Sequence, residues 1–254
     1  MNKRLEKLFN GKTLAAFITC GDPDMETTEK LALALADAGV GLIELGVPFS
    51  DPTAEDALTV SAYERALASG LNTDDVFKLA QSLREKTDVA LAFATYANVV
   101  YSRGTEAFTR RMADCGVDAL ILADVPLEER EEFAQPCRTV GIDFISFVTP
   151  TSSSRVEDIA KEAEGFVYCV STLGANDTEK ACAILGDTVK RIKAVKDVPC
   201  LVGFGVNDPE QARKVAEISD GVIVSDEIIR IVSEKGKDSV PFVKAYAEKI
   251  KKAM

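Results

Sequence analysis

Eight short apolar runs, each followed by a stretch of helical periodicity, constrain this chain more than any other feature. They fall at residues 14–19, 42–45, 89–94, 119–122, 144–148, 166–170, 200–202 and 222–224. The runs are continuous rather than alternating, which marks strands buried on both faces. Between the first two, Leu31, Leu35 and Ala38 share one face of a helix that opens near Thr27 and closes at Gly39. Such strands, alternating with amphipathic helices, build a parallel sheet covered by helices. Eight units in 254 residues favour a closed (β/α)8 TIM barrel over an open, doubly wound sheet. Extra helices decorate this α/β frame, at residues 3–9, 63–69, 74–86 and from about 241 to 252. No linker or low-complexity run divides the chain, so residues 1–254 read as a single barrel domain.

In a barrel of this kind chemistry occupies the loops after the strands. The second run reads Leu42-Ile43-Glu44-Leu45-Gly46-Val47-Pro48-Phe49-Ser50-Asp51-Pro52, a carboxyl group inside an apolar strand that Gly and Pro then break. Burial disfavours the charged carboxylate and raises its pKa, which makes a Glu a usable proton donor and acceptor near neutrality. The plainer reading pairs Glu44 with a buried base or turns it to solvent. The same mouth collects Asp51, Glu55, Tyr96, Asp124, residues 171–177, residues 203–207 and residues 225–227.

Gly203-Phe204-Gly205-Val206 and Ser225, the latter just before a helix, stand where these barrels hold phosphate, although paired glycines also make plain turns. Tyr96 is a wall or hydrogen-bond donor of the site, or simply a packed aromatic. Asp124 either orients a base or caps a helix starting at Glu128. Glu128-Glu129-Arg130-Glu131-Glu132 reads as a solvated helix start.

Composition narrows the chemistry. A net charge of −11 argues against nucleic acid as a partner. No stretch of about 18 apolar residues is present to span a membrane, and residues 1–10 do not form a signal segment, so a cytoplasmic location is expected. Histidine is absent, which excludes Ser-His and Cys-His catalysis and removes the commonest zinc ligands. No metal site is expected. The six cysteines, without a C-x-x-C pair, read as reduced packing residues. No lysine lies in an expected strand, which disfavours a Schiff-base aldolase. The loop from Ser171 to about Gly186 is polar and is expected to be mobile.

Phe17-Ile18-Thr19-Cys20-Gly21-Asp22-Pro23, the Glu44–Pro52 block, Thr95-Tyr96-Ala97-Asn98, Ala123-Asp124-Val125-Pro126 and Gly203-Phe204-Gly205 together resemble the tryptophan synthase alpha chain family. The resemblance runs from the first strand to the last. It implies a (β/α)8 barrel, retro-aldol cleavage of indole-3-glycerol phosphate to indole and glyceraldehyde 3-phosphate, no cofactor on this chain, and a beta-chain partner that carries pyridoxal phosphate. Carried over, Glu44 matches the proton-shuttling Glu and Glu55 the second acid, usually Asp, that holds the indole N–H. Phe17 and Tyr96 would line the indole pocket, while Asp124, Gly174, Gly203, Gly205 and Ser225 would complete the substrate site.

Departures from the family pattern cluster at the same mouth. Glu55-Asp56-Ala57 stands where an acid followed by Gly-Pro is expected, and Asp177 ends a loop that lacks its usual Thr and final Gly. Ser225-Asp226-Glu227 replaces Gly-Ser-Ala. One carboxylate about 5 Å from a phosphate dianion costs roughly 6 kcal/mol at an effective dielectric of about 20, so Asp177 and Asp226 are expected to oppose phosphate. Asp226 is further expected to cap its own helix. The alternative reading is a diverged or redesigned barrel with a non-phosphorylated ligand or no catalysis.

Overall fold

Parity along the strands explains the architecture. The computed structural model describes residues 2–152, 154–171, 178–203 and 205–254. Its strands are β1 (Thr13–Thr19), β2 (Leu42–Gly46), β3 (Ala90–Thr95), β4 (Ala119–Leu122), β5 (Asp143–Val148), β6 (Val167–Val170), β7 (Cys200–Gly203) and β8 (Gly221–Val224). Each pairs with the next in parallel, and β8 closes on β1. One face of every strand turns into the barrel, where Ala15, Leu42, Ala90, Ala119, Ile145 and Leu201 belong to one buried cluster. The other face carries Leu14, Ile43, Leu91 and Leu120 into a second cluster under the helices. Both faces are dry, so the runs have no reason to alternate.

The covering helices are α1 (Lys3–Leu8), α2 (Met25–Asp37), α3 (Ala57–Ala68), α4 (Thr73–Lys86), α5 (Ala97–Tyr101), α6 (Thr105–Asp114), α7 (Glu131–Val140), α8 (Val156–Glu162), α9 (Thr178–Val195), α10 (Pro209–Ile218), α11 (Asp226–Lys235) and α12 (Val240–Ala253). Two begin earlier than their apolar patterns suggest, because an Asp captures an N-terminal amide. Asp24 accepts from the Thr27 amide at 2.7 Å and starts α2. Asp56 accepts from the Thr59 amide at 2.8 Å and starts α3, six residues before the expected Tyr63.

The end of the barrel opposite the mouth is sealed. Leu5 of α1 is fully buried in the interior cluster, a burial that contributes about 2 kcal/mol. Asp118, also fully buried, accepts from the Leu91 amide at 2.9 Å and from Arg84 and Arg4 at 3.0 Å each. This anchors α1 and α4 to the strand ends. The cysteines are free thiols, all buried except the half-buried Cys182. Among the described residues no helix is long and apolar enough to cross a membrane.

The expectation of a mobile loop over 171–186 is corrected in its second half. Thr178 onward belongs to α9, which runs through Gly186. Residues 172–177, with Gly174 and Asp177, lie outside the described residues.

Candidate active site

Leu42 and Glu44 of β2 have the same parity, so the strand that packs Leu42 in the barrel also carries Glu44 inside, in register with Phe17 of β1 and Ala92 of β3. Glu44 is 2% exposed, and its Oε1 has no hydrogen-bond partner among the described residues. Burial, with a smaller contribution from the charge of Glu55, pushes its carboxyl up to about 8. No buried base pairs with it among the described residues.

Glu55 comes from the segment between β2 and α3. The phenol of Tyr96, at the end of β3, receives the Ala54 amide at 3.1 Å and donates to Glu55 Oε1 at 3.4 Å. Its ring lies 5.3 Å from that of Phe49. Burial raises the Glu55 carboxyl to about 7, the Tyr96 hydrogen bond opposes the rise, and the charge of Asp56 adds to it. Two carboxyl groups held this way near neutrality, in one site, can divide acid and base roles between them.

Both line a cavity of about 480 Å³ over the mouth, together with Phe17, Ile121, Phe147, Tyr168 and Ser225. That is room for a small bicyclic molecule. The Phe147 and Tyr168 rings stack at 4.8 Å. Two glycines set the walls: a Cβ on Gly46 would lie 2.4 Å from the Phe17 ring, and one on Gly203 would lie 2.4 Å from the Tyr168 hydroxyl. Gly203 therefore stands behind Tyr168 and makes room for its ring. Gly205, at φ +72°, turns the chain out of β7.

Several expectations are corrected. Asp124 does not cap a helix at Glu128; its carboxylate accepts the Ala97 amide at 2.9 Å, at the start of α5. It borders a neighbouring cavity rather than the one holding Glu44. Asp226 does not cap α11. The cap is Ser225, whose side chain makes no bond to the helix amides and instead donates to Asp226 Oδ1 at 2.8 Å. Arg130 is not part of a solvated face, for its side chain is only 4% exposed while Glu128, Glu129, Glu131 and Glu132 are exposed.

Phe147 and Tyr168 were not among the candidates. Strand parity could have found them, since Phe147 follows Ile145 and Tyr168 follows Phe166 on the inward face. The Tyr168 phenol is held well above its ordinary range by burial and then by the charges of Glu44, Glu55 and Asp226. The mouth is thus apolar in its walls and acidic in its polar groups.

The family model of the tryptophan synthase alpha chain matches residues 4–254. The tryptophan synthase alpha chain of Lacticaseibacillus casei is 38% identical over 255 residues, covering 100% of this chain and 96% of that one. That of Geobacter sp. (strain M21) is 42% identical over 221 residues, covering 86% and 83%. The crystal structure of the alpha subunit from Legionella pneumophila str. Paris superposes with a TM-score of 0.90 at 32% identity, covering 100% of this chain and 98% of that chain. The tryptophan synthase complex of Pyrococcus furiosus superposes at 0.86 with 30% identity, covering 94% and 98%. Matched over nearly its full length by family model, sequence relatives and solved structures, the chain belongs to the tryptophan synthase alpha chain family.

Proposed function

We propose that this chain, a carbon–carbon lyase by family, cleaves indole-3-glycerol phosphate with Glu44 as proton shuttle and Glu55 as the partner of the indole N–H. Neutral Glu44 gives its proton to the ring carbon that bears the glycerol chain. The positive charge that develops at the ring nitrogen is stabilised by ionised Glu55, itself oriented by Tyr96. The new Glu44 carboxylate then takes the proton of the adjacent glycerol hydroxyl. As the carbon–carbon bond breaks, its electrons return to the ring, indole and the aldehyde separate, and Glu44 is again protonated. The observation that carries this reading is the buried Glu44 carboxyl, free of a hydrogen bond at Oε1 among the described residues and lining an apolar cavity with a second raised carboxyl. Indole release from indole-3-glycerol phosphate tests it: Glu44→Gln should abolish turnover with the fold intact, and unchanged turnover would remove Glu44 from the mechanism.

Asp226 favours a finer reading, in which phosphate binding is weakened. The first amides of α11 receive no side-chain cap, so an anion could still approach them, but it would meet the half-buried Asp226 carboxylate. Screening by solvent reduces that repulsion to about 1–3 kcal/mol. Asp226→Ser should then lower KM for the phosphorylated substrate by about tenfold or more. A KM unchanged by the substitution would remove Asp226 from substrate selection. Absence of indole release from both proteins would favour the non-phosphorylated ligand or non-catalytic reading. The Pyrococcus furiosus relative works within a tryptophan synthase a2b2 complex of mutually activating chains, and a beta chain is proposed as partner here, to be tested by co-elution of the two purified chains.

A further inference from the structure

Among the described residues, three carboxyl groups and no lysine or arginine line the cavity of about 480 Å³. Glu44 is at its floor, 2% exposed and without a hydrogen bond at Oε1 among the described residues. The other two, Glu55 and Asp56, are consecutive in the chain and open to solvent, the first half-buried and the second exposed. Glu55 accepts the Tyr96 phenol at 3.4 Å, and Asp56 accepts the Thr59 amide at 2.8 Å. Neither is in an ion pair among the described residues, whereas Asp22, Asp74 and Asp118 are paired with Arg65, Arg103 and Arg84. The charge of Asp56 already disfavours ionised Glu55, so a cation beside the two relieves a repulsion built into the rim.

No base of the chain is at hand to do this. The adjoining cavity, which shares Ala123, Phe147 and Thr149 with this one, does contain Arg130 and Arg155. They are engaged there by Glu131 and Glu128. The cation therefore comes from outside, and the walls decide its kind. Phe17, Ile121, Val170 and the stacked rings of Phe147 and Tyr168 make the interior apolar. A bare ion would leave those walls unfilled, and no group of three metal-ligating side chains exists among the described residues. An organic cation with a flat apolar body satisfies both halves of the cavity.

We propose that this cavity takes an aromatic cation, a flat ring with a short arm ending in a protonated amine, the ring against Phe17, Phe147 and Tyr168 and the amine on the Glu55 and Asp56 carboxylates. Such a ligand has the opposite charge to a phosphorylated one. The proposal goes beyond the lyase reading and does not rest on it, because binding requires no proton transfer from Glu44.

The chain has no tryptophan, so the fluorescence of an indole probe, excited beyond the tyrosine absorption, reports the ligand alone. The full chain is titrated with tryptamine, with its neutral analogue tryptophol and with the anion indole-3-propionate. At about pH 8, above the value of about 7 for Glu55, tryptamine should bind at least about tenfold more tightly than tryptophol, and the propionate more weakly still. Glu55→Gln should weaken tryptamine by about tenfold or more and leave tryptophol unchanged. Asp56→Ser keeps a capping oxygen for α3 and should weaken tryptamine severalfold. Each variant removes one charge from a net −11, so general attraction of cations to an acidic protein would survive both. If Glu55→Gln fails to fold, Asp56→Ser and the tryptamine-to-tryptophol ratio decide. The proposal is overturned if tryptamine fails to bind at about 10 mM, if tryptophol or the propionate binds equally well, or if the variants that fold bind tryptamine as the unaltered chain does. Indole release from indole-3-glycerol phosphate is measured in parallel. A chain that selects tryptamine and releases no indole upholds this proposal against the lyase reading, and one that releases indole without selecting tryptamine does the reverse.

Discussion

Replacing Glu44 by Gln should make the protein more stable, by an amount that depends on pH. The amide is nearly isosteric and never charges, whereas the native carboxyl is raised from 4.5 to about 8, by burial first and the charge of Glu55 second. Between those values the unfolded chain has released a proton that the folded chain retains. Native stability therefore falls as pH rises from 4.5 and levels off above 8. Each pH step of one carries about 1.4 kcal/mol, so the Glu44 contribution is a loss of about 3 kcal/mol at pH 7 and about 5 kcal/mol over the whole window. That is a large part of the 5–15 kcal/mol that typically holds a domain together. Urea denaturation of both proteins at pH 5, 7 and 9 should show curves within about 1 kcal/mol at the lowest pH. Gln should lead by about 3 and then about 5 kcal/mol as pH rises. Glu55 titrates in both proteins, so the difference between them isolates Glu44 apart from their mutual coupling. A gap that stays constant across this range would mean that Glu44 is not a neutral buried acid, and the assignment of proton donor would fall with it.

Three further outcomes are expected. Indole release should peak between about 7 and 8, because Glu44 must keep its proton and Glu55 must have lost its own; a flat profile from pH 5 to 10 would contradict the division of roles. Gly46→Ala places a methyl group 2.4 Å from the Phe17 ring, and should cost about 1–3 kcal/mol in a melt and raise KM by displacing the wall; unaltered KM would mean the ring does not shape the substrate site. Asp118→Ala removes the acceptor of Arg4, Arg84 and the Leu91 amide, and should lower stability by about 3–5 kcal/mol in urea while leaving KM alone; a loss under about 1 kcal/mol would show the network to be dispensable.

The barrel was legible because each strand is buried on two faces, which leaves an unbroken apolar run in the sequence. All eight runs fall within one residue of the strand bounds. Glu44 stood out for the same reason, as an interruption of such a run. What escaped were relations between distant segments. Asp124 finds its amide at Ala97, 27 residues back, a pairing set by neighbouring strand ends and not by local spacing. Arg130 sits among four acids and reads as solvent-facing, yet the helix start turns it inward over the Phe144 ring, 5.8 Å from its centroid. Phe147 and Tyr168 are ordinary aromatics until the register places their strands side by side. Asp56, which stands where a turn glycine is expected, has the local role of beginning a helix.

Glu44 and Glu55 differ in what ties them down, and this bears on how such a protein can change its substrate. The backbone at Glu44 is braced by β1 and β3 on either side, so its position is fixed by some of the most rigid covalent and hydrogen-bonded structure in the molecule. Glu55 hangs on a connecting segment and is steadied by one phenol. If Glu44 and Glu55 act as proposed, substitutions on the rim can therefore retune which molecule is admitted, and even where Glu55 stands, without moving Glu44. On the proposed roles, a lineage can explore new ligands on its loops while Glu44 stays in place, which makes the rim the natural target for redirecting this barrel.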